Sequence, residues 1–460
     1  MSSLEPHVAI LAFPFGTHAA PLLAILRRLA SASPNTHFSF FSTLHSNNSI
    51  FLPKHTDINN NVKPYNVSDG VPEGHQLQLA INPQEAIELF MEATPHNFLE
   101  AFKVAVADTG REITCLITDA FFSFAADLAQ DMGVPWLPFW TAGPIPLSVH
   151  LYTDRIRQWH STTTHANDED DEPGLLNFIP GMSKLVVKDL PEGVVFGNLK
   201  SIFSRMLHQM GSVLPRATSV FINSFEELEP TVTQDLKSKF RKYLNVGPFN
   251  LASPLPPAPD PSGCLAWLDN HKASSVAYIG FGSVTVPSPD EVKAVAEGLE
   301  ASGVAFVWSI KDNSKTHLPE GFIDRSKSQG MLVSWAPQRE ILSHGSVGVF
   351  ITHCGWNSLL ESIEGGVPVI CRPFFGDQRL NARMVEDVLE IGVKVEGGFL
   401  TKPGILKCLD RLLHQDKGKK IRERIKELKE LATHAVGPQG SSTHNFKTLL
   451  ELVSSPPSVE

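Results

Sequence analysis

Residues 350–358 read FITHCGWNS and set a histidine, a cysteine, a glycine, an indole, an amide and a hydroxyl side by side. Three chemistries compete for such a stretch. A metal at His353 lacks partner ligands at the usual short spacings. Cys354 as a nucleophile follows an apolar run directly, with no base assigned nearby and nothing to depress its pKa. An anion cradle suits the surroundings better. GVFITHCGWNSLLESIEGGVPVI reads as strand, glycine-bearing turn, helix and strand, with His353, Trp356, Asn357 and Ser358 on the turn and at the helix N-terminus. Unpaired N–H groups and the positive end of the helix dipole meet there and favour phosphate. Asn357 or Ser358 could equally cap the helix. Glu361, one turn past Asn357, projects from the same face. It either faces solvent or accepts hydrogen bonds from ribose hydroxyls, by analogy with dinucleotide folds.

A second centre lies near the N-terminus. FPFGTHAAP (13–21) puts His18 in the loop after the first apolar run, and Asp119 ends ITCLITD (113–119). An imidazole accepts protons near neutral pH, and a carboxylate on its other nitrogen fixes the tautomer and stabilises the imidazolium. Taken singly, His18 is an ordinary loop residue and Asp119 an ordinary helix cap. Only topology would join them.

The elements that must position these groups alternate between two periodicities. Strands are expected at 7–13, 37–43, 61–67, 113–119 and 134–140, with helices at 18–32 and 121–133. Alternation of this kind predicts a parallel sheet with helices on both faces. In a doubly wound sheet of order 3-2-1-4-5 the first and fourth strands are neighbours. Their carboxyl-end loops flank the switch point where ligands bind, which makes His18 and Asp119 neighbours. NLASPLPPAPDPSG (250–263) carries five prolines and reads as a linker. Beyond it the alternation restarts, with strands at 275–281, 304–310, 331–335, 347–353 and 367–373 and helices at 289–302 and 357–366. The expected organisation is an α/β domain at 1–249, the linker, a second α/β domain at 264–436, and a segment 437–460 packing back on the first. DEDDE (168–172) reads as an exposed loop.

Bulk properties narrow the function. A net charge of −10 over 460 residues argues against nucleic acid as a partner. No run approaches the length of a membrane span, and the N-terminus lacks a basic region before its short apolar run, so no signal peptide is expected. The five scattered cysteines form no CxxC pair, which points to a reduced, cytoplasmic compartment without disulfides or zinc.

From Trp335 to Gln378 the chain reads WAPQREILSHGSVGVFITHCGWNSLLESIEGGVPVICRPFFGDQ. This stretch closely resembles, without a gap, the signature of plant family-1 UDP-sugar glycosyltransferases, and the resemblance extends over nearly the whole chain. It implies the GT-B fold, two Rossmann-like α/β domains facing a cleft. It also implies a UDP-sugar donor set: Trp335 against uracil with Ala336 and Gln338 beside it, and Ser283, His353, Asn357 and Ser358 on the diphosphate. Glu361 would take the ribose, and Thr141, Trp356, Asp377 and Gln378 the sugar. Glutamine at 378 looks like the glucose-preferring version. The resemblance makes His18 the base, oriented by Asp119, with inversion at the anomeric carbon and no metal or cofactor beyond UDP-glucose as co-substrate.

Flanking words such as DGVPEG, FWTAGP and RPFFGDQRLN look like the flavonoid 3-O-glucosyltransferase branch. In that branch Gln84, Phe121, His150, Phe203 and Phe375 would line the acceptor pocket; Phe13, Phe15, Phe121, Phe122 and Phe375 also fall on cleft-edge loops or strand ends, where a flat aromatic acceptor could pack. Gly16 leaves no side chain beside the base, where some relatives carry serine. The expected partners are therefore a flavonoid and a UDP-sugar, bound by a monomer. Two rivals remain. A nicotinamide oxidoreductase fails on GFGSVT, which lacks the third glycine of GxGxxG. A non-catalytic sensor would keep binding but not need the His18–Asp119 pair.

Overall fold

The computed structural model describes residues 5–51, 59–78, 82, 84–163, 174–254 and 256–454; the acidic run 168–172 lies outside them. The described residues of Met1–Asn167, Glu192–Phe249 and Pro438–Glu460 group as one compact unit, and those of Asp168–Pro191 and Asn250–Gly437 as another. A boundary drawn at 249/250 alone would leave 174–191 in the first unit, whereas their contacts lie in the second.

The first unit holds a parallel sheet of β1 (His7–Leu11), β2 (His37–Thr43), β3 (Val62–Val67), β4 (Cys115–Asp119), β5 (Trp136–Trp140), β6 (Val220–Ile222) and β7 (Tyr243–Asn245). Their order is β3-β2-β1-β4-β5-β6-β7. The central strands β1 and β4 are buried along their whole length, as near-continuous apolar runs must be when helices cover both faces. Helix Ala19–Ala32 supplies one cover, burying Ala19, Leu22, Leu23, Ile25, Leu26, Leu29 and Ala30, the 3/4 spacing of one helical stripe. Helix Ser441–Ser454 packs into the same core through Phe446, Leu449 and Val453. Arg28 stacks 3.7 Å over the Phe446 ring.

The second unit repeats the plan with β8 (Val276–Gly280), β9 (Ala305–Ser309), β10 (Gly330–Val333), β11 (Val347–Thr352), β12 (Val369–Cys371) and β13 (Gly392–Lys394), ordered β10-β9-β8-β11-β12-β13. Helix Pro289–Ser302 shows why its ends fall where they do. Ser288 and Glu291 form a reciprocal capping box, Pro289 opens the first turn, and Gly303 closes it at φ +66°.

Several expected boundaries shift for local reasons. The helix read from 121 begins at Ala125, because Asp119 takes the Phe121 and Phe122 N–H groups into a turn first. β10 stops at Val333, so Trp335 lies beyond it. The linker expected at 250–263 starts inside a short helix, Phe249–Ala252. Of the four three-residue strands, β12 falls inside the apolar run read at 367–373, whereas β6, β7 and β13 are too short to show a period.

Candidate functional site

The first sheet delivers three side chains to one point. β1 and β4 pair with Leu11 opposite Thr118, and β4 and β5 with Asp119 opposite Phe139. The chain therefore leaves all three strands at one level. His18 Nδ1 lies 2.7 Å from Asp119 Oδ2 and 3.3 Å from Thr141 Oγ1. A carboxylate only accepts, so Nδ1 carries the proton and Nε2 keeps the lone pair. Thr141 can then only accept from Nδ1, which leaves its own hydroxyl proton for another acceptor. Asp119 is 1% exposed, and its Oδ1 accepts the Phe121 N–H at 2.9 Å. The carboxylate is held at both oxygens.

Aromatic rings surround this pair. Phe13 meets the His18 ring edge-on at 5.2 Å between centres, and Phe121 lies at 4.6 Å. Phe15 and Phe90 extend the cluster from Phe13, while Trp140 links Phe121 to His150. Phe13, Phe121 and His150 thus share one cluster with His18. Burial pushes the His150 imidazole down to about 4, so it is neutral. Gly16 sits in the His18 loop at φ +63°. Gln84 precedes helix Glu85–Ala93, which carries Phe90. Phe203 lies on helix Ile202–Val213, packed against the helix of His150. A Cβ at Gly211 there would fall 2.1 Å from the His150 carbonyl oxygen. Phe375 belongs to the second unit and is exposed.

In the second sheet Gly280 pairs opposite Thr352, and Thr352 opposite Cys371. Gly282–Ser283, His353–Gly355 and Arg372–Gln378 therefore leave the strand ends together. His353 is clamped by two glycines: a Cβ at Gly282 would sit 2.8 Å from its ring, and one at Gly355 2.4 Å. Its Nδ1 is buried with no hydrogen-bond partner among the described residues, and burial lowers its pKa to about 4. A neutral ring with an unmatched nitrogen is suited to a polar ligand atom. Helix Trp356–Gly365 starts on Gly355, which offers no side-chain cap. Asn357 and Ser358 lie inside its first turn, so neither plays the capping role open to it in the sequence. Cys354 is fully buried, unlike a reactive thiolate.

One hydrogen-bonded group organises the next turn. Gln338 Nε2 donates to Glu361 Oε2 at 2.6 Å and to Ser358 Oγ at 3.1 Å, while its Oε1 accepts from the Tyr278 hydroxyl at 3.3 Å. Burial pushes the Glu361 carboxyl up, and the Gln338 amide partly offsets it. Gln378 is similarly fixed. Its Oε1 accepts the Phe374 and Phe375 N–H groups at 2.8 and 3.2 Å, which leaves its NH2 end as the donor for any other partner. Trp335 is half exposed, Ser283 is exposed, and Ala336 and the Trp356 indole are buried. Tyr278 and Asn381 were not singled out in the sequence. Asn381 had a signal, four residues after Asp377 on one helix face; Tyr278 had none beyond its place in an apolar strand. A cavity of about 770 Å3 opens beside Arg372, Phe374, Arg379, Arg383, Lys394 and Phe399, and none of the expected site residues lines it.

Residues 10–432 match the family described as "UDP-glucoronosyl and UDP-glucosyl transferase". The chain is 59% identical over 458 residues to the anthocyanidin 3-O-glucosyltransferase UFGT of Vitis vinifera, covering 100% of this chain and 99% of that one. It is 55% identical to a flavonol 3-O-glucosyltransferase of Arabidopsis thaliana, covering 98% and 97%. The crystal structure of a UDP-glucose: anthocyanidin 3-O-glucosyltransferase in complex with UDP superposes with a TM-score of 0.91 at 44% identity, over 99% of this chain and 100% of that one. Two parallel sheets in this order, with that superposition, are the GT-B fold.

Proposed function

The chain belongs to the UDP-glucoronosyl and UDP-glucosyl transferase family, and from that premise we propose that it transfers glucose from UDP-glucose to the 3-hydroxyl of a flavonol or anthocyanidin. The observation that carries the reading is the His18–Asp119 contact at 2.7 Å inside a cluster of phenylalanines. A proton-accepting Nε2 beside flat apolar rings suits a phenolic hydroxyl on an aromatic acceptor.

His18 Nε2 takes the proton of the 3-hydroxyl as its oxygen forms a bond to the anomeric carbon. The bond from that carbon to the diphosphate oxygen breaks, and UDP leaves with the electron pair. Attack from the opposite face inverts an α-linked donor to a β-glucoside. Asp119 holds the tautomer and stabilises the developing imidazolium. The leaving diphosphate is assigned to His353, Ser283, Asn357, Ser358 and the uncapped first turn after Gly355. A helix dipole contributes about 0.3–2 kcal/mol, so directed hydrogen bonds supply much of the rest.

Trp335 is assigned to the uracil ring, with Ala336 beside it. The Gln338 side chain is already committed to Tyr278, Ser358 and Glu361, so its role becomes orienting Glu361 toward the ribose. The sugar falls to Thr141, Asp377 and the NH2 end of Gln378, and to the backbone rather than the buried ring of Trp356. Phe13, Gly16, Gln84, Phe121, His150, Phe203 and Phe375 are proposed to face the acceptor. In this scheme the first unit serves the acceptor and the second the donor, apart from Thr141 and Phe375, which reach the other substrate, and the protein works as a cytoplasmic monomer. Among the described residues no helix is long and apolar enough to cross a membrane.

The test is incubation of purified protein with UDP-glucose, and in parallel UDP-galactose, against flavonols, anthocyanidins and unrelated phenols, reading UDP release and product mass. The expected result is a 3-O-β-glucoside that disappears in His18→Ala. Binding of UDP-glucose with no transfer to any flavonoid would sink the acceptor reading and leave the donor site standing.

A further inference from the structure

The scheme above gives Asn381 no role, yet its side chain joins two parts of the donor site. It is 1% exposed on helix Gln378–Arg383. Its Nδ2 donates to the Cys354 carbonyl oxygen at 3.0 Å and to Asp377 Oδ2 at 2.9 Å. Both partners only accept, so the amide has a single workable orientation: NH2 toward the site, oxygen away. That oxygen is buried without a hydrogen-bond partner among the described residues. Asparagine is therefore held here for its two donors, at the expense of its acceptor.

The turn that it grips needs gripping. Cys354 adopts φ +66°, a left-handed conformation that a non-glycine residue enters only when its surroundings hold it there. Its N–H donates to Thr352 Oγ1 at 3.3 Å, and Asn381 holds its carbonyl. The same turn presents His353 on one side and starts the uncapped helix on the other. Asp377, the second partner of Asn381, immediately precedes Gln378, whose amide is fixed by the Phe374 and Phe375 N–H groups.

We propose that Asn381 is a positioning residue that fastens the diphosphate-binding turn to the sugar-facing carboxylate of Asp377, so that leaving group and sugar are held in one fixed geometry. The inference rests on the donor-site reading above and deepens it. Substrate displacements of about 1 Å cost rate steeply in transfer reactions, and one shared amide removes relative motion between the two contacts.

A double-substitution cycle tests it, reading UDP and UDP-glucose affinity by calorimetry on full-length protein without acceptor. Asn381→Leu is expected to shift the affinity ratio against UDP-glucose by about tenfold, with cooperative melting retained. In an Asp377→Ala background the same change is expected to shift the ratio by less than about twofold, the non-additivity of residues in one network. Equal shifts in both backgrounds, or equal weakening of UDP and UDP-glucose, would overturn the proposal. Should Asn381→Leu not fold, Asn381→Asp keeps the size and turns an acceptor toward two acceptors; a folded Asp variant with an unchanged ratio overturns it too. Wild-type protein that failed to bind UDP-glucose would remove the donor reading and this inference together. Binding without glucosylation of any flavonoid would leave the inference intact.

Discussion

The ends of the two sheets solve opposite problems with the same topology. Around His18 the first unit gathers rings: Phe13, Phe15, Phe90, Phe121 and Trp140 enclose a small polar group, His18 with Asp119 and Thr141, in an apolar setting. Around His353 the second unit gathers glycines and amides. Gly282 and Gly355 clamp the imidazole, and Gln338, Gln378 and Asn381 are spent on fixing oxygens and N–H groups. An aromatic wall tolerates ligands of varied shape because dispersion is non-directional. A hydrogen-bonded turn reads one ligand, because each donor has one useful direction. On the proposed assignment, the acceptor side is thus built to vary and the donor side to stay the same.

The largest effects should separate the two ends. His18→Ala is expected to lower kcat by about 10²–10⁴ with UDP binding unchanged; a variant that lost both would break the division of labour. Asp119→Asn should fall in a similar range, since an amide at 119 no longer fixes the tautomer, and kcat against KM at saturating donor measures it. On the other end, Gly355→Ala places a methyl where the His353 ring lies, 2.4 Å away. UDP affinity should weaken about tenfold or more, roughly 1.4 kcal/mol, while acceptor selectivity stays as it was. A changed acceptor profile would show that the ends are not independent.

The pH dependence sharpens the contrast further. Burial holds the Glu361 carboxyl above its ordinary value of 4.5, so the ionised form proposed to hold the ribose is lost as pH falls through that raised value. KM for UDP-glucose should climb on the acid side, and Glu361→Gln should flatten the climb. His353, lowered to about 4, stays neutral across the same range and adds no step near neutrality.

The last effect is on stability and leaves the chemistry of both ends untouched. Glu364, on the helix of Glu361, is pushed up to about 8 by burial, with Asn250 Nδ2 its one donor among the described residues, at 3.0 Å. Between 4.5 and about 8 the folded state binds more protons than the unfolded state, so stability falls as pH rises through this window. Glu364→Gln should remove that slope and raise Tm at the alkaline end. The gain is a few kcal/mol at most, since each tenfold difference in proton affinity between the folded and unfolded states is worth about 1.4 kcal/mol. A Tm difference constant with pH would contradict it.

The local structure of the proposed donor end was legible in the sequence because nearly all of it is contiguous: residues 335–378 carry strand, turn and helix in a fixed spacing, and local geometry follows from spacing. Glu361 one turn past Asn357, and glycine at the helix start, could be read before any fold was known. The central strands and the covering helix Ala19–Ala32 were equally plain, since long periodic runs leave little choice of structure. His18 and Asp119 were legible only through the strand order, which follows from the handedness of parallel crossovers.

What the sequence could not decide was which partner each polar side chain would take. Gln338 turning to Glu361 rather than outward, Gln378 spending its oxygen on the backbone, Thr141 reaching His18 Nδ1, and Asn381 bridging Cys354 and Asp377 all depend on strand register and helix placement. Periodicity fixes the face on which a residue sits. Hydrogen bonds are decided within a few tenths of an ångström, and only the packed tertiary structure sets distances that finely.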